Sequence, residues 1–185
     1  MTKKLLLAAA LLLPLLARAE IVDGTIELQG SSTAGFSRRT IKVSGHPSVT
    51  GNTFQFAVGG LYYLTHNVGV GAEVQVSHGP PFNIPGAGSM TSLGLVPKLG
   101  VDFPITQSAS LFGEALAGVQ HVKLDGSSTT AFVWGLGGGV KLFPMAALSV
   151  DLGLRLRSAR DNDTPAATDT SLSFMIGLSG YFGGH

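Results

Sequence analysis

Ala147-Leu148-Ser149-Val150-Asp151-Leu152-Gly153-Leu154-Arg155-Leu156-Arg157 is the stretch whose reading decides the fold. Leu148, Val150, Leu152, Leu154 and Leu156 alternate with Ser149, Asp151, Gly153, Arg155 and Arg157. Successive side chains of a strand point to opposite faces, so this period of two puts one face in aliphatic residues and three charges on the other. A single strand of this kind fits a soluble sheet whose charges meet water. Repetition of the pattern along the chain decides which face meets what.

The same alternation predicts seven further strands. They run from about Gly24 to Phe36, Asn52 to Leu64, Val68 to His78, Met90 to Phe103, Ala109 to Lys123, Thr130 to Leu142 and Thr170 to Phe182. Phe54, Phe56 and Val58 face away from Gln55 and Ala57, for example, and Val74 and Val76 away from Glu73 and Gln75. Pro97 falls inside the fourth strand and cannot donate to a ladder, which predicts a bulge there. Polar links are expected at Ser37 to Gly51, Gly79 to Gly88 and Arg160 to Thr168, with short turns after the second, fourth and sixth strands. Even strand number with alternating short and long links suits an antiparallel outer-membrane barrel. Helical periods and a second domain are absent from this reading.

The totals agree. Of 185 residues, 44% are hydrophobic and only 12% charged, about half the usual charged share of about 25%. Such a chain would have a sticky surface in water. Lys3 and Lys4, the apolar run Leu5 to Leu16 and Ala17-Arg18-Ala19 read as a secretory signal peptide, residues 1–19, followed by one barrel domain, 20–185. The apolar run is short for a membrane helix. Without that peptide, nine basic residues face eleven acidic ones. No basic patch results, and nucleic acid is not an expected partner. The chain has no cysteine and hence no disulfide framework.

Three features turn the apolar faces outward. The signal peptide takes the chain past the inner membrane. Each apolar face is as long as the 9–11 residues of a tilted spanning strand. Aromatics collect at strand ends, as in the girdles of membrane barrels: Tyr62, Tyr63, Phe103, Phe143, Tyr181 and Phe182 at one end, Phe36, Phe54, Phe132 and Trp134 toward the other. Closure leaves no strand edge in lipid. The opposite choice is a soluble exported barrel that binds an apolar ligand inside.

The chain resembles the small eight-stranded outer-membrane barrels of the outer membrane protein A and X type. The likeness is carried by the signal peptide, Phe54 to Tyr63, Phe112-Gly113-Glu114-Ala115 and the closing Gly177-Leu178-Ser179-Gly180-Tyr181-Phe182. It implies an all-β, eight-stranded antiparallel up-and-down transmembrane β-barrel in the Gram-negative outer membrane, a monomer seated by the barrel-assembly machinery among lipid and lipopolysaccharide. In that family the last strand ends on an aromatic residue; here Phe182 is followed by Gly183, Gly184 and His185.

An outward apolar face turns Glu27, Glu73, Lys98, Glu114, Lys141, Asp151, Arg155 and Arg157 into the lumen, with Asp102 near the short-turn end. Unpaired buried charge is costly, so these groups are expected to pair. Glu27, Glu73 and Glu114 are the expected partners of the basic groups on the opening stretch. Eight strands leave room for side chains or one small ligand, which favours a plug of ion pairs over a narrow porin-like pore gated by them. A lipid A-modifying enzyme needs a nucleophile beside its base. Ser77 and His78 are adjacent and so face opposite ways, and no metal, cofactor or catalytic set is expected. Gly135 to Gly139 lacks the lysine and helix of a phosphate loop and reads as a place where strands approach closely. Arg38, Arg39 and Lys42 in the first long link are candidates for contact with lipopolysaccharide. The function expected is structural or surface interaction, without catalysis.

Overall fold

The computed structural model of the protein describes residues 21–33, 38–43, 49–51, 54–79, 90–124, 127–161 and 167–183. These form ten strands: β1 (Ile26–Thr33), β2 (Arg38–Val43), β3 (Val49–Gly51), β4 (Phe54–Tyr63), β5 (Val68–Gly79), β6 (Met90–Thr106), β7 (Ala109–Leu124), β8 (Ser127–Met145), β9 (Leu148–Asp161) and β10 (Ala167–Phe182). Both β1 and β2 lie along β10, and β4 and β3 lie along β1 and β2 in turn. The ten strands therefore make eight staves. All pairings are antiparallel, and β1 pairs with both β4 and β10, which closes the sheet. The result is an eight-stranded up-and-down barrel; among the described residues there is no helix.

One hydrogen-bonded path around the wall shows its stagger. It runs Ile26, Tyr62, Val70, Leu99, Ala115, Leu136, Leu156, Leu172 and returns to the first stave at Arg38. The path starts at residue 26 and ends at residue 38, so the strands must tilt steeply, by about 35–45° in barrels of this kind. From Ile26 to Leu172 every residue on it is exposed except half-buried Ala115. Leu95, Leu154 and Leu178 are 60%, 56% and 57% exposed, while Glu27, Glu73, Asp151 and Arg155 are at most 2% exposed. A soluble barrel would invert this arrangement. The alternation seen in the chain is an apolar outer wall around a charged interior.

The structure corrects four expectations. Arg38, Arg39 and Lys42 lie on strand β2, with backbone partners Leu172, Ser171 and Thr168, and not in a loop. Likewise Arg160 and Thr168 pair with each other inside β9 and β10. Strands thus continue beyond the expected ends, and at the loop end only 44–48, 80–89, 125–126 and 162–166 separate successive staves. No residue is inserted at Pro97: Leu95 pairs with Val119 and Lys98 with Leu116 at an unchanged offset, and the ladder to β7 skips Val96 and Pro97 between them. Gly118 makes room there, since a Cβ on it would stand 2.6 Å from the Leu95 carbonyl oxygen and 3.2 Å from Pro97 Cδ. The register shift on this pair of strands falls instead between Pro104 and Thr106, beside the short turn. Finally, only half of the short-turn aromatics form an outer girdle. Tyr62, Phe103 and Phe182 are exposed, whereas Tyr63, Phe143 and Tyr181 are buried inside. At the other end Phe54, Phe132 and Trp134 face outward; Phe36 lies outside the described residues.

The glycine run on β8 has a packing reason. Gly135, Gly137 and Gly139 share the inner face, and the side chains of the neighbouring stave lie over two of them. A Cβ on Gly135 would meet Leu116 Cδ1 at 3.1 Å, and one on Gly137 would meet Glu114 Oε1 at 2.6 Å. Gly139 faces Gly153 across the ladder, and a Cβ there would fall 2.0 Å from the Leu152 carbonyl oxygen. Backbone cannot yield as a side-chain tip can. Gly139→Ala is expected to destabilise the barrel by about 1–3 kcal/mol, the range for overpacking. Urea unfolding from detergent micelles measures this, and an unchanged midpoint would contradict the close approach.

Candidate functional site: the ionic interior of the barrel

Parity alone places the interior charges, because each sits on the face opposite the lipid-facing side chains of its own strand. Register and tilt then decide who meets whom. Two hydrogen-bonded groups result.

The lower group lies at the short-turn end and is centred on Lys141 of β8. Its Nζ is 2.8 Å from Glu27 Oε2 and 3.2 Å from Asp102 Oδ2. Tyr63 donates its hydroxyl toward both carboxylates, at 2.7 Å to Glu27 Oε2 and in a short contact with Asp102 Oδ2. One cation thus serves two carboxylates, with a phenol between them. Lys141 also stands 5.7 Å and 5.6 Å from the ring centres of Phe112 and Tyr181, within cation–π range. Phe143 packs on Tyr181. A cavity of about 520 Å³ opens below this group, and Asp102, Ser110 and Phe143 are among its lining.

The middle group is centred on Arg155 of β9. Its Nη1 is 2.8 Å from Glu73 Oε1, and its Nη2 is 2.5 Å from Glu114 Oε1. Its Nε donates to Glu114 Oε1 at 2.6 Å. Lys98 closes the square, 3.5 Å from both Glu73 Oε2 and Glu114 Oε2. Two cations and two carboxylates balance. Lys98 also donates to the side-chain carbonyl of Gln29, and Gln29 Nε2 donates to Asp151 Oδ2 at 3.2 Å. Above the square, Gln75 donates to Glu73 Oε1 at 2.6 Å and accepts from Arg157 Nε at 3.2 Å.

The structure therefore brings Glu27, Glu73, Lys98, Glu114, Lys141 and Arg155 together as ion pairs. Asp151 departs from the expected pattern. It stands directly opposite Lys141 in the β8–β9 ladder, yet it accepts from Ser149 at 2.6 Å, Ser179 at 2.5 Å and Gln29. Lys141 reaches across the lumen instead. Tyr63, Gln29, Gln75, Ser149, Ser179 and Tyr181 were not foreseen as members. Their signal is the same parity: Gln29, Gln75 and Ser149 share a strand face with Glu27, Glu73 and Asp151, and Tyr63, Ser179 and Tyr181 lie on the faces of β4 and β10 opposite the lipid-facing residues.

The interior is not wholly polar, as expected from the charges alone. Val96, Leu116, Ala131, Val133 and Ala159 form a buried apolar cluster, lining the β6 to β9 side of the half nearer the loops. Ser77 is buried inside while His78 is exposed outside, so the two cannot act as nucleophile and base. Among the described residues no group of three or more His, Asp or Glu could hold a metal ion.

Comparison with known proteins gives one family and a set of folds. The outer membrane protein beta-barrel domain family matches residues 5–182. Among solved structures, the Neisserial surface protein A is 15% identical, with a TM-score of 0.63 over 86% of this chain and 100% of that one. Ail, the attachment invasion locus protein of Yersinia pestis, is 14% identical, with a TM-score of 0.52 over 87% of this chain and 100% of that one. OprG of Pseudomonas aeruginosa is 12% identical, with a TM-score of 0.50 over 91% and 100%. These identities speak for the fold alone. No curated protein sequence matches the chain.

Proposed function

The chain belongs to the outer membrane protein beta-barrel domain family, and on that premise we propose that it is a closed barrel with a structural or surface-interaction role and no catalytic activity. It is a bacterial outer-membrane protein by family. The finer reading is a monomer, delivered by a cleaved signal peptide and seated by the barrel-assembly machinery, whose lumen is plugged by its own side chains. The observation that carries the plug is the square of Arg155, Lys98, Glu73 and Glu114, in which each group is at most 7% exposed. With its hydrogen-bonded neighbours Gln29, Asp151, Gln75 and Arg157 it fills the width of a barrel too narrow for both side chains and a channel. The apolar cluster around Val133 and Leu116 supports the same reading, because ions cross an apolar constriction poorly. Arg38 and Lys42 occupy alternate positions of β2, the loop-side part of the first stave, and are proposed to contact lipopolysaccharide there; Arg39 falls on the intervening position and is left out of that proposal.

Planar-bilayer recording tests the plug. The purified, refolded barrel is expected to add no steady conductance to the membrane. Regular open steps from the wild-type protein would replace the plug with a gated pore.

A further inference from the structure

The outer face of the barrel treats its two ends differently. At the short-turn end the exposed strand residues include Ile26, Tyr62, Phe103, Ile105, Leu111, Leu142, Met145 and Phe182, and no charged residue of the described strands is exposed there. At the loop end a polar patch sits directly above the apolar band. His78 of β5, Thr91 of β6 and Lys123 of β7 are successive cross-strand partners and all are exposed. His121 lies two residues below Lys123 on the same face. Side chains of such neighbours are about 5 Å apart at Cβ, and His78 Nδ1 is 3.0 Å from Thr91 Oγ1. Glu27, Glu73, Asp102, Glu114 and Asp151 all point inward, and exposed Asp23 lies at the opposite, short-turn end, so none of these six carboxylates competes for the patch.

We propose that His78, Thr91, His121 and Lys123 form a site for a phosphate carried on an outer-leaflet lipid. An ammonium, two imidazoles and a hydroxyl offer charge and donors to phosphate oxygens. The amphiphile is preferred to free phosphate because of what lies below. Val76, Leu93 and Val119, respectively 41%, 57% and 56% exposed, stand within two residues of the polar row on the same strands. Acyl chains hanging from a phosphate held at Lys123 would lie on them. The site rests on the outer-membrane reading, since that reading places the loop end in the outer leaflet. It is separate from Arg38 and Lys42, which lie across the barrel on β2.

The test uses the full barrel in phosphatidylcholine nanodiscs doped with lipid A in its bisphosphorylated or its dephosphorylated form. Native mass spectrometry counts the lipid that stays bound. The wild type is expected to keep the phosphorylated form preferentially, and Lys123→Gln to reduce that preference about fivefold, the scale of one basic residue at an anionic surface. His78→Gln with His121→Gln should reduce it further. Inorganic phosphate at millimolar level should not displace the lipid; displacement would identify a free-phosphate site. Equal retention of both forms, or no loss in the Lys123 variant, overturns the proposal. The gel shift between unboiled and boiled samples keeps the two readings apart. A barrel that is folded and inserted but indifferent to phosphate removes the site alone, and failure to insert removes the membrane reading beneath it.

Discussion

Replacing Arg155 with methionine is expected to destabilise the barrel by about 3–5 kcal/mol, the cost of leaving buried charges uncompensated when one partner is removed. Among the described residues Arg155 is the largest fully buried side chain, at 2% exposure, and its guanidinium is the cation nearest to Glu73 and Glu114, at 2.8 Å and 2.5 Å. Without it, Lys98 is left 3.5 Å from both carboxylates, and one negative charge is in excess. The methionine keeps most of the volume, so the loss is electrostatic and not a cavity. Adding Glu114→Gln to Arg155→Met restores the balance, with Lys98 against Glu73. Most of the lost stability should then return, because an ion pair removed whole costs far less than one removed by half. A double-mutant cycle by urea unfolding in micelles measures both steps. A loss below about 1 kcal/mol for Arg155→Met would mean that water reaches the square, which contradicts a plugged lumen as well.

This square also marks the limit of what the chain discloses. Alternation around Leu148 to Arg157 was enough to place Asp151, Arg155 and Arg157 inside, and the same rule placed Glu73, Lys98 and Glu114. Which of them meet depends on tilt, and tilt comes from the register of eight pairings at once. Lys141 and Asp151 show the difficulty. They are opposite one another across two adjacent strands, the first pair that local reasoning would choose, yet the lumen is narrow enough for Lys141 to cross it to Glu27 and Asp102. Tyr63 and Tyr181 read as outer girdle in the sequence for another reason. Each is next to an outward aromatic residue, Tyr62 or Phe182, and an aromatic pair at a strand end satisfies both faces. Strict parity with Leu61 and Ser179 would have sent them inside. The ends of the strands were underestimated because Arg38 to Lys42 and Arg160 to Thr168 are polar. Above the apolar band, polarity no longer separates a strand from a loop.

The outer wall gives the second large effect, and it separates lipid from water as the surrounding solvent. Leu154 lies at the middle of β9 and is 56% exposed, flanked across the ladder by Gly138 and Phe174. An arginine there would sit near the bilayer midplane, with a cost of about 2–4 kcal/mol. Leu93 is equally exposed at 57%, but it is the cross-strand partner of His121 and belongs to the top of the apolar band. Leu93→Arg should therefore cost only about 0–1 kcal/mol, since the penalty falls toward the interface. The same two variants in a water-soluble barrel would each be nearly neutral, as surface substitutions usually are. Reversible urea unfolding from phospholipid vesicles reads the difference directly. A depth-dependent gap between Leu154→Arg and Leu93→Arg fixes where the band meets the headgroups, and that level is where Lys123 and His78 would have to find a phosphate. Equal costs at the two sites would move the band along the barrel and take the polar row out of reach of the lipid.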